Sequence, residues 1–161
     1  MKKPIEKVDP VEKHFLKQAA KATKLSTVRA CIEVGGCQIQ AFVAETQLQK
    51  QAGLSVLAAL GNYEGMYFPF KERQSVTFHM GGVKFPIDII FLTKDDEHNY
   101  MKVARIISDV EPDDKESWTE EADAVLEVGG GLCASHGIGI GDACKIKYSV
   151  SETYAGSVST L

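Results

Sequence analysis

The chain has 161 residues, 44% hydrophobic and 25% charged, with a formal net charge of −4. That length and balance suit one globular domain whose core needs no disulfide or metal, and they exclude collagen-like and disordered chains. The mild negative charge makes a nucleic-acid partner unexpected. Met1-Lys2-Lys3 is followed by no apolar run, and no stretch of about 18 apolar residues occurs, so neither a signal peptide nor a membrane span is expected. A cytoplasmic protein is the expectation. Cys31, Cys37, Cys133 and Cys144 fit that compartment. They lack C-x-x-C spacing and read as reduced, buried thiols, with no metal site and no cofactor expected.

Residues 1–26 read as a basic helical extension. Asp9-Pro10-Val11-Glu12 combines an N-cap, a proline suited to the first turn and a capping-box acid. Phe15 and Leu16 belong to an apolar stripe, flanked by Lys13, Lys17, Lys21 and Lys24. Residues 1–30 carry eight basic and three acidic side chains, a local net of +5. Such a helix packs on its own domain, docks on a partner, or contacts nucleic acid or a membrane surface.

Residues 27–150 read as a β-rich domain. Thr27–Glu33 and Gln38–Ala44 alternate as two strands around Gly35-Gly36. Leu48–Leu60 reads as a helix weakened by Gly53. Gly65–Phe70 is dense in aromatics, and Val76–Met80 is a separate strand. Phe85–Leu92 is nearly all apolar, as a central strand would be, and is interrupted by Asp88. A polar hairpin tip at 95–99 leads into a strand from Tyr100 to Ile107. Residues 109–123 hold eight acids against Lys115 and read as a solvated loop, with Trp118 either anchoring it to the domain or lining a binding surface. Ala124–Val128 is a short strand. The glycines of 129–141 read as tight turns, because their spacing matches neither phosphate-loop pattern and no helix follows. Ala143–Val150 closes the domain, and residues 151–161 form a Ser/Thr-rich tail.

Three segments in order resemble domain-of-unknown-function family 192. Ala41-Phe42-Val43-Ala44-Glu45-Thr46, Ala52-Gly53-Leu54 and Gly65-Met66-Tyr67-Phe68 resemble its first strand, its Arg-Gly-Leu helix and its Gly-Met-Leu-Phe turn. Phe78-His79-Met80-Gly81-Gly82-Val83 with Pro86-Ile87-Asp88-Ile89-Ile90-Phe91 resembles Phe-Trp-Met-Lys-Asn-Thr and Pro-Leu-Asp-Ile-Ile-Phe. Val125-Leu126-Glu127 and Gly137-Ile138 through Gly141-Asp142 resemble the third segment. The resemblance covers roughly residues 38–148. It implies an α+β fold with a mainly antiparallel, curled, barrel-like sheet and a short internal helix, to which this chain adds its N-terminal helix. His79, Gly81, Gly82 and Val83 replace the family's Trp, Lys, Asn and Thr, and Ala52 replaces its Arg, so polar groups of the family pattern are lost.

Asp88 inside its apolar run needs hydrogen bonds, a partner or a proton. It reads as a structural acceptor of backbone N–H groups pinning the Pro86 turn, or as the carboxylate of a pocket with His79 or Lys84 nearby. Glu127 is expected to pair with Lys84 or to cap the glycine-rich loop. Asp88, His79, Lys84, Glu127 and Asp142 are the candidate ligand-binding residues. Phe15, Leu16, Lys13, Lys17, Lys21 and Lys24 are the candidate partner contacts. Three functional classes follow. The first is a non-enzymatic interaction or assembly module whose partner is another protein or a second copy, as in a virion or other multi-subunit assembly. The second is a binding domain for a small polar ligand. The third is a hydrolase using Asp88 and His79, which requires the two side chains within hydrogen-bond reach, directly or through one water.

Overall fold

The computed structural model describes residues 28–150, with Pro10 alone before them. The expected helix over 9–26, its six candidate partner contacts and the tail over 151–161 lie outside the described residues. Seven strands form the domain: β1 (Val28–Val34), β2 (Cys37–Val43), β3 (Glu64–His79), β4 (Ile87–Lys94), β5 (Met101–Val110), β6 (Ser117–Gly129) and β7 (Ala143–Val150). They close into a barrel in the order β1-β2-β3-β6-β4-β5-β7. The sheet is mixed. β2 and β3 run parallel, and the other neighbouring pairs are antiparallel.

Local chemistry sets the first three strands. Gly35 and Gly36, at φ 55° and 75°, make the two-residue turn that brings Val34 opposite Cys37. A parallel partner cannot be reached by a hairpin, so β2 connects to β3 through a crossover. That crossover holds α1 (Gln47–Ala52) and a 3-10 turn (Gly53–Val56). The expected helix to Leu60 is therefore cut short. Gly53 takes φ 50° and ends the α-helix, and its N–H bonds back to the Gln49 carbonyl. The two expected segments Gly65–Phe70 and Val76–Met80 are one strand, β3. Its register against β6 shifts between Pro69 and Gln74, where proline lacks an N–H for the ladder.

The core has two layers. Ala30, Ile32, Ile39, Tyr67, Ile90, Leu92 and Leu126 fill the barrel interior. Leu54, Met66, Phe68, Met80, Ile89, Phe91 and Val125 form a second layer outside it, covered by the crossover and the turn after β3. β4 contributes to both layers, which is why its sequence is apolar at successive positions rather than at alternate ones. Among the described residues, no helix is long and apolar enough to cross a membrane.

The acidic segment over 109–123 is largely not a loop. β6 starts at Ser117 and pairs with β3 through Trp118 opposite Phe78. Its acids are accommodated by alternation and pairing. Glu120 receives Arg105 at 2.8 Å, and Asp123 receives Arg73 at 2.8 Å and the Lys94 N–H at 2.7 Å. Trp118 packs on the outer layer as part of this strand. The glycine-rich segment also holds more than turns. A short helix, α2 (Leu132–His136), follows Gly131 and ends at Gly137, both in the left-handed region. The four cysteines are free thiols, and Cys37, Cys133 and Cys144 are buried.

Candidate functional site

The five candidate ligand residues fall in three places. Asp88 is fully buried on β4. Its Oδ1 accepts the Asp109 N–H at 2.7 Å and the Gly131 N–H at 3.1 Å, and its Oδ2 accepts the Cys133 N–H at 2.9 Å. One carboxyl group thus clamps the end of β5, where Asp109 holds φ 50°, to the start of α2. The Pro86 turn is fastened separately, by the Gly130 N–H to the Pro86 carbonyl at 3.0 Å. None of the Asp88 hydrogen bonds goes to His79. Burial, with Asp88 beside it, pushes the Cys133 thiol up to about 12, so this cysteine stays a neutral packing residue.

Asp142 sits apart. It accepts the Gly139 N–H at 2.8 Å and borders a small depression of about 240 Å³ at the β1–β2 turn. It staples its own loop.

His79, Lys84 and Glu127 come together. They line one groove of about 1260 Å³ on the outer face of the barrel. One wall is the crossover, where Thr46 caps α1. The Thr46 hydroxyl accepts the Gln49 N–H, and the Gln49 side chain accepts the Thr46 N–H, a reciprocal capping box. The opposite wall is β3, with Phe68 and Phe78 packed edge to face at 5.0 Å between centroids. The end is the turn after β3. There the His79 Nδ1 accepts the Gly81 N–H at 3.0 Å, and the Lys84 Nζ donates to the Ser55 carbonyl at 2.8 Å, tying turn to crossover. Gly82, at φ 78°, leaves room for Ser55, whose Cβ would stand 3.1 Å from an added Cβ.

Glu127 is the unusual member. It lies on β6 opposite Met66 of β3 and Ile89 of β4, both buried in the outer layer. Only 3% of it is exposed. No donor among the described residues reaches its carboxyl group, and burial alone pushes its pKa up to about 8. The expected Lys84 pair does not form, since Lys84 bonds to Ser55, and Glu127 caps no N–H of the glycine-rich loop. Every fully buried side-chain oxygen among the described residues has a partner, so the unpaired Glu127 carboxyl keeps its sliver of exposure toward the groove it lines.

Several groove residues escaped sequence reasoning. Lys50 lies over the Phe70 ring at 4.8 Å, and desolvation lowers its pKa. Lys71 and Leu54 also line the groove. The aromatic density of 65–70 was a signal for a wall, but nothing local linked it to Lys50 or to Glu127.

Comparison with known proteins agrees with the fold. The profile of one family, DUF192, described as an uncharacterized ACR, matches residues 30–146. No curated protein matches the chain. The fold resembles a crystal structure from Novosphingobium aromaticivorans DSM 12444, a protein of unknown function. It is 30% identical, with TM-score 0.64, covering 73% of this chain and 83% of that one. It also resembles a candidate transcription regulator from Sinorhizobium meliloti 1021. That protein is 21% identical, with TM-score 0.64, covering 74% of this chain and 92% of that one, a likeness that shows the fold alone.

Proposed function

We propose, for a chain that belongs to domain-of-unknown-function family 192, that it is a binding domain for a small molecule, received in the groove between α1 and β3. The observation that carries this reading is Glu127. A carboxyl group buried in an apolar layer without a donor destabilises the fold by roughly 1–3 kcal/mol. A leucine there would cost nothing of the kind. A polar group held in that condition at the floor of a concave, aromatic-walled site is what a ligand pocket supplies: one convergent polar contact among apolar ones.

The hydrolase alternative requires Asp88 and His79 to act together. Both Asp88 oxygens are engaged by backbone N–H groups, and Asp88 shares no hydrogen bond with His79. The assembly alternative rests on the N-terminal helix and the tail, outside the described residues. Binding is favoured because it alone uses the unpaired carboxyl.

The test is a fragment screen on the full chain by amide chemical-shift mapping. Bound fragments are expected to move the amides of Leu54, Gly82 and Glu127, and Glu127→Leu is expected to weaken that binding while the spectrum stays folded. Fragments that bind only elsewhere on the surface, or bind equally to Glu127→Leu, would overturn the reading.

A further inference from the structure

The charges around the groove are one-sided. Lys50, Lys71 and Lys84 line it together with His79, and among the described residues the only acid in its lining is Glu127 at the floor. Lys71 and Lys84 are exposed, and Lys50 is half-buried. The Lys84 ammonium uses one donor on the Ser55 carbonyl and has two more to offer. Between rim and floor the groove is backed by half-buried Phe78 and by Leu54 and Phe68, which are nearly fully buried behind it.

Resting on the binding reading above, we infer that the groove takes an amphipathic organic anion: its negative group at the lysine rim, its apolar body along Leu54, Phe68 and Phe78, and a hydrogen-bond acceptor against the Glu127 carboxyl. Each part has its own physical support. Lysines bordering a low-dielectric wall attract and hold an anion more strongly than they would in bulk water. The apolar stretch separates the rim from the floor, so a ligand bridging them needs an apolar body. Burial keeps Glu127 protonated at neutral pH, so its O–H donates and requires an acceptor. A nearby negative ligand would stabilise that protonated form further, so anion binding and retention of the proton support each other.

The competing occupants fit less well. A cation would have to pass three lysines and then ionise a carboxyl that burial keeps neutral. A neutral apolar molecule would leave the basic rim unused. The chain's own residues 1–30 carry a net +5, which a lysine-lined rim repels.

Three probes of equal chain length separate these cases: octanoate, octylammonium and 1-octanol, each titrated at pH 7 into the isotope-labelled full chain. Octanoate is expected to shift the amides of Leu54, Gly82 and Glu127 saturably, with a dissociation constant in roughly the millimolar range and about 10-fold or more tighter than octylammonium. The double variant Lys50→Glu/Lys84→Glu is expected to lose about 10-fold in octanoate affinity. With 8-hydroxyoctanoate, whose terminal hydroxyl supplies the acceptor that octanoate lacks, Glu127→Gln, which keeps a donor, should retain binding, and Glu127→Leu should weaken it. Octylammonium or 1-octanol binding in the groove as tightly as octanoate would overturn the anion inference and leave the binding reading standing. If none of the three moves the groove amides, both fall.

Discussion

Asp88 and Glu127 are two buried acids on adjacent strands, in neighbouring positions of one ladder, yet the molecule treats them in opposite ways. Asp88 faces Val128 across the ladder, and Glu127 faces Ile89. Strand alternation puts Asp88 with Ile90 and Leu92 on the interior-facing set and Glu127 with the outer layer. Asp88 accepts three backbone N–H groups, whereas Glu127 accepts none from the described residues. The difference shows how to tell a structural acid from a binding one. Burial is common to both, and what distinguishes them is whether the chain itself satisfies the group.

The sharpest way to break the comparison is at Asp88. Asp88→Leu leaves the N–H groups of Asp109, Gly131 and Cys133 unpaired in the interior, with an expected loss of about 3–5 kcal/mol. A urea midpoint that falls steeply at an unchanged m-value would show it. A loss below about 1 kcal/mol would mean that the three bonds do not hold the β5 end to α2.

Next in size is a pH dependence that belongs to Glu127. Its folded pKa is about 8 against an ordinary 4.5. Between those values the unfolded chain has released a proton that the folded chain keeps, so stability falls as pH rises and stops falling above about 8. From pH 4.5 to pH 7 the wild type should lose on the order of 3 kcal/mol relative to Glu127→Gln, which cannot titrate. Parallel stability curves for the two proteins would remove Glu127 from the class of buried, neutral acids.

At pH 4 the titration contributes little, and the remaining effect is desolvation of an unpaired polar group. There Glu127→Leu is expected to stabilise the fold by about 1–2 kcal/mol, read as a higher urea midpoint. Replacement of either acid by leucine changes similar chemistry, but the signs should differ. A destabilised Glu127→Leu protein would mean that the carboxyl has an acceptor or donor role within the fold, and the contrast with Asp88 would collapse.

Sequence patterns disclosed the parts of this contrast that are local. The Gly35-Gly36 hairpin, the apolar run around Asp88 and the order of the three family-like segments were all readable from neighbours along the chain. The start of β6 was not. Eight acids within 109–123 resemble a solvated loop until Arg73 and Arg105 arrive from other strands to receive Asp123 and Glu120. α1 was read eight residues too long, because Gly53 weakens a helix without announcing that it will adopt φ 50° and stop it. For the site, His79, Lys84 and Glu127 were singled out one at a time, but their convergence depends on the crossover folding over β3. Asp142 and Asp88 were grouped with them because glycine-rich and apolar contexts look alike in sequence, whether a carboxyl group is closed off by backbone donors or left open.

The smallest effect tests whether the two regions open independently. α1 forms a wall of the groove and is held by the Thr46–Gln49 capping box, with the Thr46 hydroxyl 3.1 Å from the Gln49 nitrogen. Thr46→Ala removes that acceptor and should cost about 1 kcal/mol, confined to the crossover because α1 has only six residues. Hydrogen exchange at Gln49 and Lys50 is then expected to accelerate roughly 5-fold. The amides of Gly131 and Cys133, held by Asp88 at the far end of α2's loop, should exchange at the wild-type rate. Equal acceleration at both places would show that the groove wall and the Asp88 clamp open as one cooperative unit. In that case the softness needed to admit a ligand beside α1 would have to come from the whole barrel, and a groove with its own movable wall would no longer describe this molecule.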